Sequence, residues 1–263
     1  MALRILALLL CALAAPAPAQ GLRHVGDAVR AELRPGWREA DGRHVAGLSL
    51  DLAPGWKTYW RAPGRIGIAP RLDWRASRNV RSVAPLWPSP RPIVQAGGRS
   101  IGYDGDVVLP LVVEPVDPSA PVRLRGTLDI GVCATVCVPA RLTVDAVLPP
   151  RGAPDPAIRA ALADRPGAAG RTTCALVPHA GGLALRVEMA APPLGAPEAV
   201  AVEAPGADLT VGEAAVVRRG GTLVATVPVA GRAGAPVALD RARLRITAMG
   251  SDRAVEAAGC VGG

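Results

Sequence analysis

Residues 122–148 read Val-Arg-Leu-Arg-Gly-Thr-Leu-Asp-Ile-Gly-Val-Cys-Ala-Thr-Val-Cys-Val-Pro-Ala-Arg-Leu-Thr-Val-Asp-Ala-Val-Leu, and the alternation in them decides the fold. Apolar residues hold the even positions Val122, Leu124, Leu128, Ile130 and Val132, then Val138, Ala140, Leu142, Val144, Ala146 and Leu148. Arg, Thr and Asp stand between them on both flanks. A period of two is the mark of a strand with one buried face. Folding the stretch about Thr135 sets Ile130 opposite Ala140, Leu128 opposite Leu142 and Cys133 opposite Cys137. Opposed residues of an antiparallel pair lie about 4.5–5.5 Å apart, a span that a disulfide bridges. Cys133 and Cys137 are therefore expected to close a very small loop at an exposed hairpin tip. Such a loop adds little chain-entropy stabilisation. The spacing alone leaves three uses open: an inert staple, a redox pair that opens and closes, and a thiolate metal site.

The N-terminus bears on the compartment. Met1 to Arg4 form a short basic start, residues 5–15 an apolar run, and Ala17-Pro18-Ala19 a small-residue cleavage site before Gln20. This is the pattern of a secretory signal peptide over residues 1–19. The run is shorter than the roughly 20 residues that cross a bilayer, and no later segment is apolar for that long. An exported, periplasmic product that does not span the membrane is expected, in a compartment where disulfides persist. The formal net charge of +8 is carried almost wholly by arginine, Lys57 being the single lysine. The arginines alternate with acids and apolar residues and form no block, so no nucleic-acid partner is expected. His24, His44 and His179 are scattered and read as surface residues, so neither a metal nor a cofactor is expected.

Proline and glycine divide the chain. Residues 20–149 carry short alternating segments at 28–33, 44–52, 71–74, 107–113, 122–132 and 138–148, separated by Gly- and Pro-rich turns. Short strands with frequent turns predict an immunoglobulin-like sandwich. Residues 150–171 read as a linker: Pro149-Pro150 ends the hairpin, and Asp155 caps a short helix with Pro156 at its first position. Residues 172–263 predict a second small β-sandwich, with strands near 183–189, 199–203, 223–229 and 242–248. The fold class is thus all-β, two immunoglobulin-like sandwiches joined by a short helical, Pro- and Gly-containing linker. Pairing Cys133 with Cys137 leaves Cys174 for Cys260 as a structural disulfide across the second domain, and the two domains are expected to unfold separately.

All five tryptophans lie between Trp37 and Trp87. They are read as core residues, or, for Trp56, Tyr59 and Trp60, as a partner-binding surface. Residues 55–64, Gly-Trp-Lys-Thr-Tyr-Trp-Arg-Ala-Pro-Gly, lead into Gly67-Ile68-Ala69-Pro70, Asp73-Trp74 and Ser77-Arg78-Asn79-Val80. Pro88, Pro90, Arg91, Gly102-Tyr103 and Val108-Leu109-Pro110-Leu111 follow, and the set ends with Val132-Cys133 and Cys137-Val138-Pro139-Ala140. In this order, over about residues 45–148, the chain resembles the periplasmic N-terminal region of the DsbD-type thiol:disulfide interchange proteins, in particular the ScsB branch. The second domain resembles, with weaker motifs, the further β-domain of that branch.

The resemblance implies an immunoglobulin-like fold whose cysteine pair takes electrons from one partner and reduces oxidised periplasmic proteins, as a component of a protein-disulfide reductase. Cys137 would form the mixed disulfides and Cys133 would resolve them. Implied partners are a membrane electron carrier of the DsbD, CcdA or ScsB type and periplasmic thioredoxin-like or disulfide-isomerase proteins, in the settings of cytochrome c biogenesis and copper tolerance. The better-known DsbD domain separates its cysteines by five residues, against three here, and shields them with a Phe-bearing cap loop, whereas this chain has no Phe. In the matching place, residues 88–103 offer Ile93 and Tyr103 as a cover, with Asp104 beside them to tune protonation. Arg123, Arg125 and Arg141 are the charges read as able to favour a thiolate. The family's transmembrane carrier and thioredoxin-like domain have no counterpart in the sequence, so the reductant is expected to be a separate molecule.

Two other classes of function compete. A Cys-x-x-x-Cys followed by Pro also occurs in Sco-type copper proteins, but there it joins a strand to a helix, and here both flanks alternate as strands. The other is an exported structural or partner-binding sandwich with an inert disulfide.

Overall fold

The computed structural model describes residues 25–95, 98–179 and 181–263. The signal-peptide reading and His24 lie outside them. The first half of the chain forms β1 (Val29–Arg38), β2 (His44–Leu52), β3 (Lys57–Tyr59), β4 (Arg71–Asp73), β5 (Val80–Pro85), β6 (Arg91–Gln95), β7 (Gly98–Tyr103), β8 (Val107–Pro115), β9 (Val122–Cys133) and β10 (Cys137–Leu148). One helix, α1 (Pro156–Ala163), follows. The second half forms β11 (Gly167–Ala168), β12 (Thr172–His179), β13 (Gly182–Ala190), β14 (Ala199–Glu203), β15 (Leu209–Val211), β16 (Ala215–Arg219), β17 (Thr222–Gly231), β18 (Arg245–Met249), β19 (Ala254–Ala258) and β20 (Val261–Gly262).

These strands make two sandwiches. In the first, a sheet ordered β1-β2-β8-β5 faces one ordered β10-β9-β3-β7-β6, with β4 also pairing with β9. In the second, β11-β19-β18-β14 faces β15-β17-β13-β12-β20, with β16 on β17. The hairpin β9–β10 has the register that the alternation predicts, Ile130 on Ala140, Leu128 on Leu142 and Cys133 on Cys137. Its even-numbered side chains enter the first core, where Leu124, Leu128 and Leu148 are fully buried with Leu48, Leu111 and Trp60. Each such leucine contributes about 1.5–3 kcal/mol relative to an exposed one. The second core holds no aromatic residue and is built from Leu185, Met189, Leu194, Leu223 and Ile246 among smaller side chains.

The two cores meet across one sheet. In β14 and β18 nearly every residue is buried, the pattern of strands covered on both faces. Val200, Val202, Ile246, Ala248 and Val255 face the second core. Their neighbours Ala199, Ala201, Met249 and Ala254 pack into the cluster of the first. The segment read as a linker is also docked. Asp155 accepts hydrogen bonds from the amides of Ala157 and Ile158 at the start of α1, and the Ile158 side chain is fully buried. Ile158 fits because residue 47 is glycine: a Cβ there would stand 2.8 Å from Ile158 Cγ1. One expectation is corrected here. His44 is fully buried, with Nε2 2.5 Å from the carbonyl oxygen of Pro35, and burial pushes its pKa down. It opens β2 beside the bulge between Arg34 and Trp37, a register shift that sequence periodicity does not reveal.

Candidate redox site at the hairpin tip

The β9–β10 tip is three residues long, Ala134-Thr135-Val136, closed by a 3.3 Å hydrogen bond from the Ala134 amide to the Val136 carbonyl. All three tip residues are exposed, Val136 to 67%. Below them Cys133 and Cys137 form a disulfide with their Cα atoms 4.1 Å apart. Both occupy odd positions and so project from the outer face of the sheet, away from the core. The two residues differ in exposure. Cys133 is 2% exposed, whereas Cys137 is open to solvent.

The shelter over Cys133 comes from β3. Its register places Lys57, the single lysine, opposite Cys133, and Thr58 opposite Val132. The next residue, Tyr59, therefore lies beside Gly131, on the face that carries the sulfurs. Its ring occupies the space a side chain at 131 would need: a Cβ there would stand 2.7 Å from Tyr59 Cε2 and 2.7 Å from Ile68 Cβ. The ring aims its hydroxyl at the disulfide, 2.8 Å from Cys133 Sγ and 3.1 Å from Cys137 Sγ. A phenol in that position donates weakly to a disulfide and strongly to a thiolate, because a charged acceptor strengthens the bond. Tyr59 itself is 4% exposed.

Several expected roles change. Trp60 is fully buried in the core and Tyr59 lies against the disulfide, so neither forms a partner surface; of the three aromatics assigned to one, only Trp56 is half-exposed. Consecutive strand residues point to opposite faces, which is why Tyr59 and Trp60 part company. The cap reading is corrected too. Ile93 is buried on β6, three strands from β9 and so roughly 14 Å across the sheet. β7 approaches the cysteine level with its Tyr103 end, opposite Thr58, and at its other end Arg99 Nε lies 3.8 Å from Glu213 Oε1 of the second sandwich. Tyr103 is buried with its hydroxyl donating to the Pro88 carbonyl, and burial pushes its phenol well above the ordinary value. Asp104 is exposed just past the end of β7.

The arginines read as thiolate-stabilising are engaged elsewhere. Arg141 pairs with Asp129 at 2.8 Å and Arg123 with Asp145 at 2.9 Å, along the outer face of the hairpin. Arg125 lies 4.0 Å from Asp145. The side-chain group at the sulfurs is the Tyr59 hydroxyl, and the signal that could have located Tyr59 was Gly131, a glycine inside a strand two residues from a cysteine. Cys174 and Cys260 form the second disulfide, Cys174 being 1% exposed. Among the described residues no three His, Cys, Asp or Glu side chains converge as metal ligands, and no helix is long and apolar enough to cross a membrane.

Residues 28–149 match the family described as "Thiol:disulfide interchange protein DsbD, N-terminal". Among solved structures, the crystal structure of the N-terminal periplasmic domain of ScsB from Proteus mirabilis superposes with a TM-score of 0.64 at 24% identity, covering 89% of this chain and 92% of that one. The likeness therefore extends through both sandwiches at the level of fold. No curated protein matches the sequence. With the cysteine-bearing hairpin inside the matched segment, residues 28–149 are a DsbD-type N-terminal domain.

Proposed function

We propose that the chain is a periplasmic thiol–disulfide exchange module that takes electrons from a separate membrane reductant of the DsbD, CcdA or ScsB type and passes them to oxidised exported proteins. The observation that carries this reading is the inequality of the two sulfurs: Cys137 is open to attack, while Cys133 is sheltered under the Tyr59 hydroxyl.

That inequality orders the chemistry. A thiolate of the reductant attacks Cys137 Sγ, the Cys133–Cys137 bond breaks, and Cys133 leaves as a thiolate. Tyr59 Oη, 2.8 Å away, donates a hydrogen bond to that leaving sulfur. The second thiolate of the reductant then attacks its own partner sulfur in the mixed disulfide and releases Cys137. The reductant leaves as a disulfide, and this chain holds two thiols. In the forward half-reaction the Cys137 thiolate attacks a disulfide of the substrate protein and expels one substrate thiolate. Cys133 next attacks Cys137 Sγ, the second substrate sulfur leaves, and the pair is a disulfide again. Two electrons pass, and water supplies the protons to the released thiolates.

Trapping tests the order. Cys133→Ala, expressed with the leader sequence, keeps Cys137 as nucleophile and removes the resolving sulfur, so it accumulates reductant-sensitive adducts with exported thioredoxin-like proteins. Cys137→Ala accumulates far fewer. Adducts with Cys137→Ala alone reverse the assignment. No adduct with either variant, together with a wild-type bond that thioredoxin-like donors fail to reduce, leaves the structural sandwich as the function.

A further inference from the structure

Arg61 is the side chain through which the second sandwich reaches the segment that holds Tyr59. Its Nε lies 3.1 Å from both carboxylate oxygens of Glu203, its Nη2 lies 2.9 Å from Glu203 Oε2, and the same Nη2 contacts Glu256 Oε2. Glu203 is on β14 and Glu256 on β19, and both belong to the face that Ala199, Ala201 and Met249 present to the first core. Between them Thr247, fully buried on β18, donates its hydroxyl to Glu256 Oε2 at 2.8 Å. Arg245 stands 3.7 Å from Glu256 Oε1, so two guanidinium groups meet two carboxylates. The Arg61 side chain is 15% exposed, and its guanidinium lies 4.1 Å from the centroid of the Trp60 ring. Burial opposes its charge, and the two carboxylates more than offset that, holding its pKa above the ordinary value.

A part-buried ion cluster is a poor source of stability, because desolvation consumes most of the Coulombic gain; its better-attested use is to fix register. The apolar part of this interface is formed by alanine and methionine, which slide without a strong preference for one position, and the other ion pair across it, Arg99 with Glu213, is longer at 3.8 Å. The cluster is what pins one point of it, and that point is two residues from Tyr59. Trp60 between them is locked in the core, its amide donating to the Ile101 carbonyl at 3.0 Å, and the Ile101 amide returns a 3.0 Å bond to Pro63. The backbone is thus held at Tyr59 by pairing with Gly102, at Trp60 and at Pro63, and between them by the Arg61 side chain. A backbone fixed here fixes the origin from which the Tyr59 side chain reaches the sulfurs.

We infer that Arg61, clasped by Glu203 and Glu256, is a positioning residue for the disulfide: the second sandwich acts through it to hold the Tyr59 hydroxyl on Cys133 and Cys137. This deepens the exchange reading and rests on it, since a fixed donor matters only if the bond opens. With two glutathione thiols the disulfide gives the dithiol and one glutathione disulfide, so atoms and electrons balance. A donor held at the sulfurs favours the side that bears thiols and thiolates over the side that bears the weakly accepting disulfide. Loosening the clasp therefore shifts this equilibrium toward the disulfide.

The experiment is a redox titration of the whole chain in glutathione buffers, reading the thiol state of Cys133 and Cys137 by alkylation and mass, with melting temperature recorded in parallel. Glu203→Gln leaves Arg61 one carboxylate, and Arg61→Lys keeps the charge while losing the fork, so folded protein is available from at least one. In a folded variant the equilibrium constant for reduction falls about fivefold, as expected for one hydrogen bond, or about 20 mV. Tyr59→Phe gives a similar fall, and adding Glu203→Gln to it changes nothing further. As a control, Ile158→Val lowers the melting temperature and leaves the constant alone. A folded clasp variant with the wild-type constant overturns the inference, as does a clasp effect that persists in full in the Tyr59→Phe background. A wild-type bond that no thiol buffer reduces defeats the exchange reading itself, and the positioning role with it.

Discussion

Gly131→Ala tests whether the site is built as described, because the position is defined by what it lacks. The added methyl group would stand 2.7 Å from Tyr59 Cε2, 2.8 Å from Tyr59 Cδ2 and 2.7 Å from Ile68 Cβ. Real Cβ contacts are not that short, so something moves. Ile68 lies in the exposed stretch after the Arg61 segment and can give way at little cost, whereas the Tyr59 ring is 4% exposed. Overpacking of this kind costs about 1–3 kcal/mol. For a chain of this size each kcal/mol moves the melting temperature about 2–4 °C, so a cost of about 2 kcal/mol is read as a fall of about 4–8 °C. Displacing the ring also withdraws the hydrogen bond to the leaving sulfur, which slows reduction by dithiothreitol about three- to tenfold.

Gly126→Ala separates these two effects. It lies on the same strand, and its added methyl meets the Trp74 ring instead. It should lower the melting temperature comparably while leaving the reduction rate unchanged, being seven residues from Cys133. Calorimetry and a stopped alkylation time course provide both readouts. A Gly131→Ala protein with wild-type melting and wild-type rate refutes the packing of Tyr59 on Gly131. Equal slowing by both glycine variants means that rate follows general stability, and the argument for a placed hydroxyl fails.

Three further outcomes follow from the same packing. Ile158→Ala, at a fully buried position against Gly47, should cost about 2–5 kcal/mol by chemical denaturation, and a cost under about 1 kcal/mol would mean that α1 is only tethered. Asp155 is held below the ordinary carboxyl range: burial works against its charge, but the Ile158 and Ala157 amides and Arg34 outweigh that. Its contribution is thus present above the unfolded value near pH 4 and lost as pH falls through the lower folded value; Asp155→Ala should cost about 1 kcal/mol at neutral pH and flatten that acid limb in urea titrations at stepped pH. Replacing Cys174 and Cys260 with Ala, a pair separated by 86 positions, removes up to roughly 4.5 kcal/mol in the chain-entropy model. Because the two cores meet at Ala199, Ala201 and Met249, tryptophan emission and circular dichroism should then shift together rather than separately, and a fluorescence transition that stays put would show that the interface does not couple them.

How far the sequence alone could be read depended on how many faces each strand buries. The β9–β10 hairpin has one buried face and one wet face, so its alternation is clean and fixed both the register and the cysteine pairing. Strands are read at 199–203 and 242–248, the second found at 245–249, but a run buried on both sides carries no period that says what lies on the second face. Hence the contact between the sandwiches, and with it the docking of the supposed linker, was invisible. The segment at 56–60 failed differently. β3 is three residues long and is flanked by aromatic residues on each side, too short for a period to emerge. Without a phase, Tyr59 and Trp60 cannot be assigned to opposite faces, and core and partner surface stay open for both.

The absence of phenylalanine and the short cysteine spacing then acquire one explanation. Three tip residues leave Cys137 exposed, and β7 engages the second sandwich through Arg99 and Glu213. Protection then comes from beneath, where the Tyr59 hydroxyl touches both sulfurs and lies nearer to that of the buried Cys133. Tyr59 supplies that protection from the neighbouring strand, in a groove that Gly131 keeps open. A cover fixed to a strand cannot move aside as a loop can, so selectivity in this arrangement is static: a partner reaches Cys137 at any time and Cys133 at none. Its reduction by small thiols should accordingly rise linearly with thiol concentration, with no plateau of the kind that opening a lid imposes. A plateau in that plot would show that some segment has to move before Cys137 is reached.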